Sequence, residues 1–340
     1  MIWEVPLSEA NIALTDQNKG EGAATLAQQL RKVLAFVIRY NTVFVFIVMV
    51  VVSTLLSDVF LTQRNVINLI RQVSGLGIIC MGMLMVILTG GIDLSVGSLA
   101  ALGSVLIAFF LQDADFGLAL LLTIGAGFLM GSVSGILVSV WRMAPFVATL
   151  AMMTVGRGLS FVVSKGAPIT ARNDILDTFG TGNLGGIPYP IVLMFTIVII
   201  TLLVLRFTAF GRIIMAIGSN ESAVRLAGIR VSYYKYAVYA ISGTLCMLGG
   251  IISTARTGVG SPIVATGLEL DAIAAVVIGG ASLTGGRGNA INTLLGVLIL
   301  GMIGNIMNLL NIPNYPQQIL QGVIIVIAVL IQGVQIVRSR

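Results

Sequence analysis

The sequence predicts an all-α integral membrane protein with about ten transmembrane helices, and three observations point there: a shortage of charge, an excess of glycine inside apolar runs, and a series of apolar runs of membrane-spanning length. Of the 340 residues, 57% are hydrophobic and only 9% are charged, with a mean hydropathy of +1.04. A folded surface in water carries about 25% Asp, Glu, Lys and Arg. The missing charged surface therefore faces lipid, which excludes most soluble enzymes.

Forty residues are glycine, against a usual share of about 7%, and they follow neither collagen's period nor a polar low-complexity pattern. Within apolar runs, small residues let transmembrane backbones approach closely and let helices break where protein covers the break. The net charge of +6 comes from basic residues placed between apolar runs, without a basic, aromatic-rich stretch. It points to orientation in a membrane, with lipid as the partner and no nucleic acid. Cys80 and Cys246 fall within apolar segments and the chain has no His, so neither a structural disulfide nor a metal centre is expected.

A bilayer core of about 30 Å requires roughly 20 apolar residues. Runs of that order extend over Tyr40 to Ser57, Gln72 to Gly90, Leu94 to Gln112, Phe116 to Val140 and Pro145 to Val163. They continue over Tyr189 to Leu205, Tyr236 to Ala255, Ala272 to Gly285, Ala290 to Leu310 and Gln317 to Val337. The eighth is short and glycine-rich, as a broken or re-entrant helix would be. Residues 1–33 are polar, contain no apolar signal-peptide core, and read as a cytoplasmic tail. From Leu26 the spacing Leu26, Leu30, Val33, Leu34, Val37 suits either a helix lying on the membrane or an early start of the first span. Residues 34–340 then form one transmembrane domain with a loop at 206–235. With both termini cytoplasmic, roughly twelve basic residues lie inside and five outside, and the outer segments also hold Asp58, Asp113, Asp115, Asp174 and Asp177. That distribution satisfies the positive-inside rule.

No G-x-x-x-x-G-K-[ST] phosphate loop is present and no nucleophile sits with a general base, so no catalytic, cofactor or metal residues are expected in this chain. The loop RFTAFGRIIMAIGSNESAVRLAGIRVSYYK, Arg206 to Lys235, carries five basic residues and one acid. Ser219 or Asn220 can cap a short helix with Glu221 in its first turn, and Gly228 can end it. Two readings stand: a helix built to dock another protein, or a solvated connector with ordinary inside-positive charge.

Two glycine motifs match. Gly90-Gly91-Ile92-Asp93-Leu94-Ser95-Val96-Gly97 and Gly279-Gly280-Ala281-Ser282-Leu283-Thr284-Gly285-Gly286 both fit G-G-x-[DS]-L-[ST]-x-G, 189 residues apart, and six crossings put both on the same side of the membrane. They suggest a direct repeat of two halves. Gly-Gly followed by Asp or Ser suits a helix that ends and restarts, with Asp93 or Ser282 capping the next helix. For Asp93 the competing reading is an intramembrane ion site. In the fourth span Gly127, Gly131 and Gly135 form a small-residue row, either for packing within the chain or for a dimer seam. In the ninth, Gly301, Asn305 and Asn308 share a face, where the amides would line a polar cavity or tie helices together.

Three segments resemble a known family: VILTGGIDLSVGSLAAL (Val86 to Leu102), FGRIIMAIGSNESAVRLAGI (Phe210 to Ile229) and LELDAIAAVVIGGASLTGGRG (Leu268 to Gly288). They are similar to the membrane permeases of ribose/galactose-type bacterial sugar ABC importers, in the same order and spacing from about Val59 onward. The resemblance implies a vitamin B12 importer-like permease fold, working as a homodimer in the bacterial inner membrane. It implies a periplasmic sugar-binding protein as one partner and, as another, a cytoplasmic ATPase subunit whose two nucleotide-binding domains hold ATP and Mg. By the same resemblance Asn220, Glu221, Ser222, Ala223, Arg225, Leu226 and Gly228 form the helix that couples to the ATPase, and the two glycine motifs lie near the translocation path. The transported solute would be a pentose, hexose or related sugar. The rival is a secondary transporter driven by an ion gradient, with Asp93 or Asp271 as its ion site.

Overall fold

A computed structural model of the chain describes residues 41–313 and the helical positions 316, 317, 319, 320, 322, 323 and 326. The expected tail, the surface helix from Leu26 and most of the tenth span fall outside the described residues. The described part is helical apart from two short antiparallel ladders.

In chain order the helices are α1 (Asn41–Leu56), α2 (Gln63–Leu88), α3 (Val96–Phe110), α4 (Phe116–Ser139) and α5 (Pro145–Ser164). Next come β1 (Ile169–Thr170), α6 (Asp174–Thr181), β2 (Asn183–Leu184) and β3 (Ile187–Pro188), followed by α7 (Tyr189–Phe207), α8 (Ala209–Ser219) and α9 (Glu221–Leu226). The chain returns through α10 (Val231–Thr257), β4 (Val259–Gly260), α11 (Leu268–Ile278) and α12 (Ala290–Leu309). β1 pairs with β4, and β2 with β3.

Among the described residues six helices, α2, α4, α5, α7, α10 and α12, are long and apolar enough to cross a membrane. α1 and α3 lie where the first and third spans are expected but have 16 and 15 residues. α11, at the expected eighth span, has 11. α2 starts nine residues before the expected Gln72, because Thr62 caps it by accepting from the Asn65 N–H at 3.4 Å. Arg64 and Arg71 obscured that first stretch in the sequence. The ends of α4 and α5 follow local rules: Asp115 accepts from Gly117 and Leu118 at 2.8 and 3.1 Å, and Pro145 occupies the first turn of α5. α6, between the fifth and sixth expected spans, was not anticipated; Asn173 caps it.

α2 and α10 are largely buried, whereas α4, α5 and α7 turn apolar side chains such as Leu121, Leu129 and Val162 outward. α10 is the centre, and three helices reach its backbone through glycine. The row Gly127, Gly131 and Gly135 of α4 lies against α10: a Cβ on Gly131 would overlap the Tyr239 carbonyl, and one on Gly135 would sit 2.9 Å from the Tyr236 carbonyl oxygen. The reciprocal glycine is Gly243, whose Cβ would come within 2.9 Å of Gly131 Cα. α2 meets α10 at Gly75 and Gly249, and α3 meets it at Gly103 and Gly250. The row is thus a seam within the chain. Lipid supplies no hydrophobic drive between helices, so close van der Waals contact of this kind is what holds them together.

A side chain inserted into this seam must push two backbones apart. Gly131→Leu is expected to lower stability by about 1–3 kcal/mol or more, while Gly125→Leu, where nothing lies within 4 Å, should be close to neutral. Thermal unfolding of both variants in detergent checks the difference.

Candidate functional site

The two glycine motifs and α9 converge at one end of the bundle, where α2 and α11 stop. α2 and α11 end in the same way. The Gly90 N–H bonds the Ile87 carbonyl at 2.9 Å and the Gly91 N–H bonds the Val86 carbonyl at 3.2 Å. At α11 the corresponding bonds run from Gly280 to Val277 at 2.8 Å and from Ala281 to Val276 at 3.1 Å. Gly90 and Gly280 both adopt positive φ, +77° and +82°. These are two Schellman motifs, which satisfy the last carbonyls of a helix at a residue where Cβ is disfavoured.

The structural match therefore pairs Gly90 with Gly280, one residue away from the sequence match of Gly90 with Gly279. Sequence letters align the glycines, whereas the left-handed residue decides the structural register. Gly279 serves packing instead, since its Cβ would lie 2.7 Å from the Asn292 carbonyl oxygen and Thr293 Cα of α12. Beyond the turns the two copies diverge. α3 restarts at Val96, whereas α12 waits until Ala290 and is capped by Asn289, which accepts from Ile291 at 2.8 Å. Ser282 is not a helix cap: its hydroxyl pairs with that of Thr284 at 2.7 Å.

Asp93 is buried, and its oxygens are taken up. Oδ1 accepts from the Ser95 N–H at 3.0 Å and the Ser95 hydroxyl at 2.5 Å, and Oδ2 accepts from the Ser242 hydroxyl of α10 at 2.9 Å. The backbone bond is the local one the sequence implied, made two residues ahead rather than into the first turn of α3. Ser95, the residue preceding α3, makes no side-chain cap. The bond to Ser242 adds a cross-link between α3's entry and α10. Gly91 leaves room beside it, because a Cβ there would strike the Tyr239 hydroxyl. Gly97, in the first turn of α3, likewise admits Glu269 and the Ala265 carbonyl.

α9 is built as its sequence reads. Asn220 accepts from Ala223 at 3.0 Å and Gly228 has φ +80°; Gly228 and Ile229 close the helix on the Arg225 and Val224 carbonyls. Ser219 instead bonds back to Met215. Glu221 Oε1 pairs with Arg225 at 2.6 Å and Oε2 with Lys235 Nζ at 2.6 Å, which fastens α9 to α10. Burial alone would push the Glu221 carboxyl up, but hydrogen bonds and charge from Lys235 and Arg225 outweigh it and hold the group below its ordinary value. Beneath, Val224 packs with Ile217 and Val231 in a small apolar cluster. Leu226 is 89% exposed and Tyr233 is 65% exposed. An open hollow of about 450 Å³ beside Tyr233 is lined by Arg225, Gly228, Arg230 and Ser232 as well. The surface is basic and presents two exposed large side chains, Leu226 and Tyr233.

In α12, Asn305 and Asn65 of α2 exchange amide hydrogen bonds, both at 2.9 Å, and Asn308 accepts from Gln317 at 2.9 Å. Helix-to-helix bonding thus occupies these amides in the described structure. The pair crosses 240 positions of sequence, so only one member was visible as a candidate. Gly301 abuts Val73 of α2. Arg157 was missed: inside α5, its Nη1 donates to the carbonyls of Pro262 and Val264 at 2.7 and 2.9 Å, anchoring the loop before α11. A lone Arg in an apolar span was the available signal.

The family described as branched-chain amino acid transport system / permease component matches residues 65–329. The chain belongs to that permease family. It is 45% identical over 287 residues to the ribose import permease protein of Bacillus subtilis (strain 168), covering 84% of this chain and 89% of the relative. With the ribose import permease protein of Escherichia coli (strain K12) it shares 40% over 304 residues, 88% and 95% of the two chains. The L-arabinose ABC transporter permease protein of Azospirillum brasilense is 36% identical over 294 residues, 86% of each chain. No solved structure gives a significant match. This permease is a multi-pass membrane protein, as the six long apolar helices and its family agree.

Two outcomes follow from this geometry. Asp93→Asn, which keeps an oxygen for Ser95 and lets the Ser242 hydroxyl turn to accept, should still fold, whereas Asp93→Leu strands buried donors at about 1–3 kcal/mol each; yield of folded protein from membranes distinguishes them. The depressed Glu221 carboxyl contributes stability that is full above its unfolded value of about 4.3 and fades as pH falls through the folded value. Glu221→Gln should therefore cost about 0.2–1 kcal/mol at pH 7 and progressively less as the pH falls below the ordinary carboxylate range, read by thermal unfolding of the two proteins across a pH series.

Proposed function

We propose that this chain is the transmembrane subunit of an ATP-driven ABC importer that carries a monosaccharide into the cytoplasm. The observation that carries the reading is α9, a capped, ion-paired helix with exposed Leu226, beside exposed Tyr233 in the first turn of α10, standing on the end of the bundle where α2 and α11 terminate. Relatives named for ribose and L-arabinose supply the solute class.

In this reading α9 is the helix on which an ATPase subunit with two nucleotide-binding domains sits, Leu226 and Tyr233 entering its groove. ATP and Mg belong to that subunit. The α9 end also bears Arg206, Arg212, Arg230, Lys235 and Arg287, which supports a cytoplasmic placement by the positive-inside rule. The opposite end, with α6 and the ladder of β1 and β4, would face a sugar-binding protein in the periplasm. Two copies of a ten-span, vitamin B12 importer-like permease would enclose the path and alternate between outward and inward openings as the ATPase closes. Selectivity would lie mainly in the binding protein, so the path needs only weak polar contacts.

The ion-driven alternative is less well supported at Asp93, which already accepts an N–H and two hydroxyls; Asp271 is left as its candidate ion site. Uptake of labelled ribose and arabinose by proteoliposomes tests the reading. Uptake should require the ATPase subunit, the binding protein and ATP together; uptake by this chain alone under a proton or sodium gradient would refute it. Combining Glu221→Lys with Arg225→Glu swaps the pair within α9 and sets a second ammonium beside Lys235. That double variant should insert normally yet lose ATP-dependent uptake.

A further inference from the structure

At the α9 end, three backbones meet with no side chain between them. Gly218, in the last turn of α8, is the third residue before α9. A Cβ on Gly218 would overlap the Leu88 carbonyl oxygen of α2 and the Gly286 nitrogen of the turn after α11. Those two atoms are themselves hydrogen-bonded, Gly286 N–H to Leu88 C=O at 3.0 Å. From the other side, a Cβ on Gly285 would lie 2.8 Å from Gly218 Cα and from Gly90 N. Gly286 packs on Ser219, which precedes the Asn220 cap. Gly285 and Gly286 also hold φ of +91° and +77°, so both close approach and conformation demand glycine.

α9 is therefore attached to the bundle by two different routes. One is made of side chains and leads to α10: the Glu221–Lys235 ion pair and the Val224, Ile217, Val231 cluster. The other is made of backbone and leads to α2 and α11. Side chains can re-pack or change rotamer under load, whereas directly stacked backbones that share a hydrogen bond have little room to slip.

We propose that Gly218 is a positioning residue that locks α9 to the inner ends of α2 and α11, so that a movement imposed on α9 reaches those two helices as a rigid displacement. The two glycine motifs thereby acquire a mechanical role beyond ending their helices: each supplies one face of the lock. The inference rests on α9 being the docking helix and adds which helices receive the motion and through which atoms.

The test uses the full complex of permease, ATPase subunit and binding protein in proteoliposomes, with hydrogen–deuterium exchange compared between the nucleotide-free and ATP-bound states. In the wild type, exchange in the α9 segment (220–228) and in the turn 279–289 should change together. In Gly218→Ala, the α9 segment should still respond to ATP while the turn no longer does, and sugar uptake should fall about tenfold or more. Gly125→Ala, in open space, should transport normally. A turn in the wild type that ignores ATP while α9 responds would overturn the proposal even if Gly218→Ala fails to fold; so would a Gly218→Ala complex that transports at the wild-type rate. A wild-type complex in which the ATPase leaves the α9 segment unprotected would instead strike the docking reading beneath it, which keeps the two failures apart.

Discussion

The rest of this structure depends on how closely other helices can come to α10. In water, a central helix could be held by burying apolar side chains; in lipid, that transfer is worth almost nothing, and stability comes from contact distance. Glycine shortens that distance. Gly127 and Gly131 of α4 face Gly243, Gly75 of α2 faces Gly249, and Gly250 faces the Ala100 carbonyl of α3. Three helices thereby touch α10 with little between the backbones, and polar bonds fix their heights: Ser104 to Thr254 at 2.7 Å, Ser132 to Tyr236 at 2.9 Å, and Asp93 to Ser242 at 2.9 Å.

The same economy of side chains reappears at the α9 end with a different consequence. Along α10 it produces an inert core. Where α2, α8 and α11 terminate, it joins elements that belong to different layers and leaves α9 standing clear of the membrane helices on a stiff base. In the proposed docking role, α9 would need to be both exposed and unable to yield. Leu226, with Tyr233 of α10 nearby, answers the first need, and Asn220, Glu221 and the backbone contacts at Gly218 answer the second. The opposite end is organised otherwise, by long side chains reaching carbonyls: Arg157 to the loop at 262–264, Arg71 to Gly180 at 2.7 Å, and Arg256 to Gln72 at 3.2 Å.

Much of the site was legible because its signals are local. The boundaries of α9 follow from Asn220 and Gly228 alone, since capping and a left-handed stop involve residues within one turn. The close of α2 at Gly90 is equally local. The eleven-residue α8 was hidden in a loop that reads as a connector, because it is too short for a span and its apolar side chains divide between a small local cluster and the edge of the main core. The apparent equivalence of Gly90 and Gly279 shows the limit in the other direction: a motif match compares letters, and the residue that turns left-handed lies one place further on.

The sequence by itself determined that the chain lives in lipid, where most helices begin and end, that α9 is a helix, and that the chain carries no phosphate loop of its own. Each of these depends on composition or on neighbours a few residues away. Only the tertiary structure decided that the glycine row of α4 is answered by α10, that Asn305 is paired with Asn65, that Asp93 reaches Ser242, and that Gly218, Gly285 and Gly90 meet. Those choices join residues about 70 to 240 positions apart, and the physical reason is plain: a glycine announces that something can come close, but carries no side chain to say what.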